Sequence, residues 1–119
     1  DAAVAAVNED NKSKYGRSFA MVDRYLHLHY ADQVGVNTLA EMMGINPSYF
    51  SKLFKEYFHK PYVEYLTDIR LEKATVLLLD GETVQSTAVK TGFSDHTYFA
   101  RVFKQKYGVS PTDYKRTQG

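Results

Sequence analysis

Tyr49-Phe50-Ser51-Lys52-Leu53-Phe54-Lys55 and Tyr98-Phe99-Ala100-Arg101-Val102-Phe103-Lys104 are one string written twice, 49 positions apart. Tyr, both Phe and the final Lys are identical, and the other three exchanges are conservative. Phe50, Leu53 and Phe54, like Phe99, Val102 and Phe103, fall at helical spacing and are read as core. The cations between them are left to the outer face. Cations on such a face can recognise a partner: an arginine fork pairs with a guanine edge, and a lysine meets a phosphate. Bond-making chemistry finds no residues. The chain has no Cys, hence no thiol nucleophile and no Cys-based zinc site. No Gly-rich phosphate loop precedes a Lys. His27 and His29 are two apart and point to different helix faces, while His59 and His96 are scattered, so no i, i+4 metal pair forms. The expectation is a protein that is not an enzyme and takes no metal or cofactor.

The elements that must carry these strings read as helices throughout. Residues 1–16 have little periodicity and are read as a linker tail. Ser18 is a candidate N-cap for a helix whose inner face is Phe19, Val22, Leu26 and Tyr30. A short helix is expected at about Val36–Met43, stopped by Gly44. Asn46 and Pro47 then cap and open a third, to about Phe58. A long fourth helix opens at Pro61 and reaches about Leu79. A fifth is expected from Glu82 or Thr83 to Thr91, a sixth after Ser94-Asp95 to about Tyr107, and a last one behind the capping-box-like Ser110-Pro111-Thr112-Asp113. No period-two pattern competes. The class is all-α, with about seven helices: a first helical lobe over 17–60, a linker helix over 61–80 and a second lobe over 81–119.

The repeat extends upstream. Ala40…Gly44 matches Ala88…Gly92 at an offset of 48, so the second turn holds one extra residue. The duplicated unit is a short helix, a Gly turn and a capped helix: a small Ala lets two helices approach, and the Gly accepts a left-handed turn. That is the helix-turn-helix pattern, here in two copies with basic residues on each second helix.

These residues, together with Tyr65-Leu66, Arg70-Leu71, Ala74, Leu77-Leu78, Gly92-Phe93-Ser94-Asp95, Gly108-Val109-Ser110-Pro111 and Tyr114, resemble the AraC/XylS-type DNA-binding domain over about residues 18–117. The resemblance implies two helix-turn-helix lobes joined by one linker helix, binding double-stranded DNA to activate or repress transcription in a bacterial cytoplasm. It also implies RNA polymerase as a partner and a sensor or receiver domain on the N-terminal side, which agrees with a chain starting at Asp1. His59 departs from the family pattern: Gly is usual at that helix end, and a non-glycine residue at φ > 0 is uncommon. Ser86 and Thr87 replace an acidic and β-branched apolar pair, an exchange expected to loosen the second lobe.

Matched to the family's base-contact positions are Ser48, Ser51 and Lys52 on the first reading helix, and His96, Thr97, Ala100 and Arg101 on the second. Arg101 could discriminate by about 1–3 kcal/mol through bidentate pairing; Lys52 is less directional, and Ala100 offers only a methyl contact to thymine. Lys55, Lys60, Lys90, Lys104 and Lys106 are the candidate phosphate partners, which give affinity without sequence information. The linker helix, about 19 residues, is roughly 28 Å long against about 34 Å for one turn of B-DNA. Two reading helices can then reach adjacent major grooves if the DNA bends or a lobe rotates. Val76 to Leu79 is apolar all round, as expected for packing against both lobes. Arg70 falls inside an apolar arc and should have a partner, with Asp95 or Glu41 as candidates.

Charge distribution supports the interface reading better than the net +1 does. Residues 46–60 carry 3 basic against 1 acidic side chain and residues 82–119 carry 6 against 3, whereas 1–45 carry 4 against 6 and 61–81 carry 2 against 4. With 44% hydrophobic and 24% charged residues the make-up is that of a globular domain. No apolar run, Val76–Leu79 included, approaches the ~20 residues of a membrane span. The rival reading is a helical protein-interaction module, for example one contacting polymerase through its acidic segments, with little DNA affinity of its own.

Overall fold

The structure is a computed structural model that describes the backbone of residues 2–118 and the side chains of residues 14–118. Among the described residues there are seven helices and no strand: α1 (Ala2–His29), α2 (Val36–Met43), α3 (Pro47–Phe58), α4 (Tyr62–Leu79), α5 (Val84–Lys90), α6 (His96–Tyr107) and α7 (Pro111–Gln118). The chain divides into two compact units, Asp1–His29 with Val34–Leu66, and Tyr30–Gln33 with Thr67–Gly119.

The first unit is built on aromatic packing. Phe19 of α1 stacks on Tyr57 at 4.9 Å and meets Phe54 edge-on at 6.3 Å. Phe54 in turn lies 4.3 Å from Phe58 and 5.4 Å from Tyr65. Phe19, Val22, Leu26, Leu39, Phe50 and Phe54 are buried at 0–1% exposure, as their periodicity predicts. Tyr30, expected on the same inner face, is only half-buried and belongs to the second unit, because α1 stops at His29 and the helical period stops with it. Where α4 begins, the Tyr62 hydroxyl donates to the Val34 carbonyl and the Tyr65 hydroxyl to Asp23 Oδ1 at 2.5 Å. One boundary differs. α1 starts at Ala2, and Ser18 lies inside it rather than capping it. Ala2, Ala3, Ala5 and Ala6 favour helix without needing an apolar face, and only a face, not propensity, shows up as periodicity.

The second unit packs Leu71, Ala74 and Leu78 of α4 against Ala88, Phe93, Phe99 and Phe103, with Tyr107 and Tyr114 at the margin. Val76 and Leu79 are about half exposed, and only Leu78 of that run is fully buried. An all-round apolar run therefore does not mean all-round burial: successive residues diverge by about 100° around a helix, and here one direction is filled. Arg70 turns to main-chain oxygens that the choice between Asp95 and Glu41 had left out. Its Nε donates to the Tyr30 carbonyl at 2.6 Å and its Nη2 to the Asp32 carbonyl at 2.9 Å. These carbonyls follow the end of α1, where orphan acceptors and the helix dipole favour a cation. The same guanidinium lies 5.9 Å from the Phe93 ring. Gly92 completes the joint: a Cβ there would stand 2.9 Å from the Ala31 Cα and 3.0 Å from Arg70 Nε.

Two local departures carry a stability cost. His59 ends α3 in the left-handed region at φ 66°, donating its N–H to the Lys55 carbonyl at 2.8 Å. Its counterpart Gly108 ends α6 at φ 80°. The glycine expected at this end is missing, but the helix end is the same, so His59 absorbs the strain. Thr87 is fully buried and its Oγ1 has no hydrogen-bond partner among the described residues. We expect His59→Gly to stabilise the chain by about 1 kcal/mol. Thr87→Val, which removes the orphan hydroxyl at constant shape, should also gain about 1 kcal/mol. Denaturant titration checks both; no gain from either substitution would refute the strain and the orphan hydroxyl.

Candidate nucleic-acid interface

Each unit contains the same turn, made by the same main-chain bonds. After α2, Gly44 (φ 70°) donates to the Glu41 carbonyl at 3.0 Å, and Ile45 reaches back to the Ala40 carbonyl at 3.1 Å. After α5, Gly92 (φ 94°) donates to the Val89 carbonyl at 3.1 Å, and Phe93 to the Ala88 carbonyl at 2.9 Å. Both are Schellman closures, with an apolar residue following the glycine. Ala40 and Ala88 are each 1% exposed, so a larger side chain would find no free space at either place.

The second helix of each unit is 12 residues long and opens on a side-chain cap. Asn46 Oδ1 accepts from the Tyr49 N–H at 2.8 Å. Asp95 Oδ1 accepts from Thr97 N–H at 2.8 Å and from Tyr98 N–H at 3.4 Å. The caps fix where each helix begins, and the buried Phe50/Phe54 and Phe99/Phe103 pairs fix its rotation. What remains outside follows from those two constraints. Ser48, Ser51 and Lys52 on α3 and His96, Thr97 and Arg101 on α6 are exposed, while Ala100 is half-buried. Lys52 and Arg101 occupy equivalent places, as do Lys55 and Lys104.

The five lysines expected at phosphates are not equivalent. Lys55 and Lys104 are exposed and enter no ion pair among the described residues. Lys60 is half-buried. Lys90 pairs with Glu82 at 2.7 Å, and Lys106 with Asp68 at 3.3 Å. Hydrogen bonds from Lys90 and then from Ser86 hold the Glu82 carboxyl below its ordinary range. Ser86, read from the sequence as a loosening exchange, thus joins a network: its Oγ donates to Glu82 Oε2 at 2.8 Å, and its N–H to Thr83 Oγ1 at 3.0 Å.

Tyr98, read from the sequence only as part of the repeat, also reaches this outer face. Tyr98 is 37% exposed, and the Arg101 guanidinium lies over its ring at 5.2 Å. The two line an open cleft of about 340 Å³ at the start of α6, together with Ser94, Asp95 and Thr97. The signal available was the i, i+3 spacing of an aromatic and an arginine, which brings the two together on a helix.

A family model described as a helix-turn-helix domain matches residues 39–117. The regulatory protein PocR of Salmonella typhimurium is 34% identical over 94 residues, which are 78% of this chain and 31% of PocR. The transcriptional regulatory protein YesN of Bacillus subtilis is 32% identical over 109 residues, 84% of this chain and 29% of that protein. Among solved structures, the C-terminal domain of the two-component response regulator YesN from Fusobacterium nucleatum superposes with a TM-score of 0.78 at 31% identity, covering 83% of this chain and 98% of that one. The DNA-binding domain of AdpA, solved with a target DNA, shares the fold at TM-score 0.77 and 24% identity, over 82% of this chain and 88% of that one. The chain spans 55%, 33% and 31% of the length of three curated relatives it matches. A duplicated capped helix behind a left-handed turn, an outer face of cations and these likenesses agree: the chain belongs to the AraC-type family of DNA-binding helix-turn-helix transcriptional regulators.

Proposed function

We propose that α3 and α6 are the reading helices, entering adjacent major grooves of a double-stranded site about two helical turns long. The observation that carries this reading is the repeated closure. The same two main-chain bonds and a side-chain cap present Lys52 and Arg101 at equivalent places. Because the two helices differ in side chains, the site they read is asymmetric in sequence. Ser48, Ser51 and Lys52 contact bases in one groove, and His96, Thr97, Ala100 and Arg101 in the other. Lys55 and Lys104 meet phosphates directly. Lys90 and Lys106 do so only by exchanging their carboxylate partners for phosphate, which lowers what each contributes. Lys60 is the remaining phosphate candidate.

The chain acts as the output part of a longer regulator whose preceding domain senses a ligand or receives a phosphoryl group. The response-regulator likeness favours the receiver. RNA polymerase is the protein partner, met through the acidic segments 1–45 and 61–81, and the place of action is the cytoplasm. The main test is selection of bound duplexes from a random pool. An asymmetric site of about two turns is expected, and a half-turn footprint would exclude paired reading. Arg101→Ala should weaken the selected site by roughly 1–3 kcal/mol more than a scrambled duplex; equal losses would make Arg101 a phosphate contact. Absence of binding even at low salt would favour the protein-interaction module. Glu82→Gln should free Lys90 and steepen the log–log salt slope of DNA binding by about one unit. An unchanged slope would remove Lys90 from the phosphate set.

A further inference from the structure

We propose that Tyr98 is a positioning residue for base recognition: its ring holds the Arg101 guanidinium ready beside the α6 cleft and thereby weights sequence discrimination toward the second reading helix. This rests on the reading of Arg101 as a base contact.

The ring is anchored from below. Phe93, only 6% exposed, lies 6.2 Å from Tyr98 and 5.0 Å from Phe99 of the core. Tyr98 is thus fixed on one side and open on the other, and its open side carries Arg101 at 5.2 Å. Arg101 makes no ion pair among the described residues, so it is held by the quadrupole of an aromatic face and not by a carboxylate. That difference matters for recognition. A carboxylate would compete with a guanine edge for the same N–H donors. A ring binds the flat face of the guanidinium and leaves its edge free to donate. An arginine already ordered before contact also loses less rotamer entropy on binding.

The first unit lacks this device. Tyr49 packs edge-on against Tyr15 of α1 at 6.3 Å, and Ile45 stands where Phe93 stands in the second unit. Lys52 has a point charge with no planar face to stack. The two helices share a backbone plan, yet only the second presents an arginine stacked on an anchored ring.

The test measures binding of the whole chain to a duplex it has enriched from a random pool, and to a scrambled duplex of equal length. The readout is the ratio of the two affinities. The ring-free replacements Tyr98→Leu and Tyr98→Gln should lower the ratio about two- to fivefold, the range of an exposed cation–π contact. Tyr98→Phe keeps the ring and should keep the ratio. On an Arg101→Ala background, Tyr98→Leu should cost nothing further, since the interaction is already gone. If the ring-free variants hold the ratio while Arg101→Ala lowers it, positioning by Tyr98 is overturned and base reading by Arg101 stands. If Tyr98→Leu lowers the ratio equally with and without Arg101, the effect is structural and the proposal is likewise overturned. If Arg101→Ala leaves the ratio unchanged, or no duplex is enriched, base reading fails and the proposal with it.

Discussion

A left-handed residue between two helices is the constraint on which each unit depends. The main chain must reverse within a few residues while leaving no buried polar group unpaired. At Gly44 and Gly92 a positive φ allows the two closing bonds that satisfy the carbonyls at the end of the first helix. Once those bonds are made, the next residues have to be a cap and the next helix has to start. The rotation of that helix is then decided by which side can bury two phenylalanines. The outward direction of Lys52 and Arg101 is therefore set by the turn and the core, not by any property of the cations. What faces outward is what remains after folding has used everything else.

This order of causes explains what could be read from the sequence. Caps, helix ends and the apolar stripes depend on residue type at short spacing. Asn46, Asp95 and Gly44 accordingly opened or ended helices where the sequence reading put them. Departures arose where the deciding partner is remote in sequence or is main chain. Arg70 donates to carbonyls forty and thirty-eight positions away, and carbonyls have no residue identity to recognise. The start of α1 escaped because an Ala-rich segment gives propensity without a face. Val76 and Leu79 show the converse: hydrophobic residues attract an expectation of burial that the geometry of one filled face does not honour.

The cations differ among themselves in a way that net charge conceals. Around α5, Glu82 holds Lys90, while Lys115 donates to the Gly81 and Glu82 carbonyls at 3.3 and 2.8 Å. These cations are spent on keeping α7 and the start of α5 in place. On the outer faces of α3 and α6, Lys52, Lys55, Arg101 and Lys104 have no such obligation among the described residues. A charge already committed to a carboxylate gains less from an incoming anion than an uncommitted one. Counting lysines therefore overstates an interface, and following their partners corrects the count.

The Tyr30–Gln33 segment belongs with the second unit although both of its flanks belong to the first. Its docking on Arg70, and on the bare Cα of Gly92, means that no single cut in the polypeptide yields two intact halves. Recombination within α4 between distant homologues brings an Arg70 and a Gly92 from one parent against a loop from the other. The joint works only if that foreign loop offers its carbonyls at matching places. Exchange of halves between such proteins is thus gated by the short Tyr30–Gln33 segment, and a graft that carries it along inherits the joint whole.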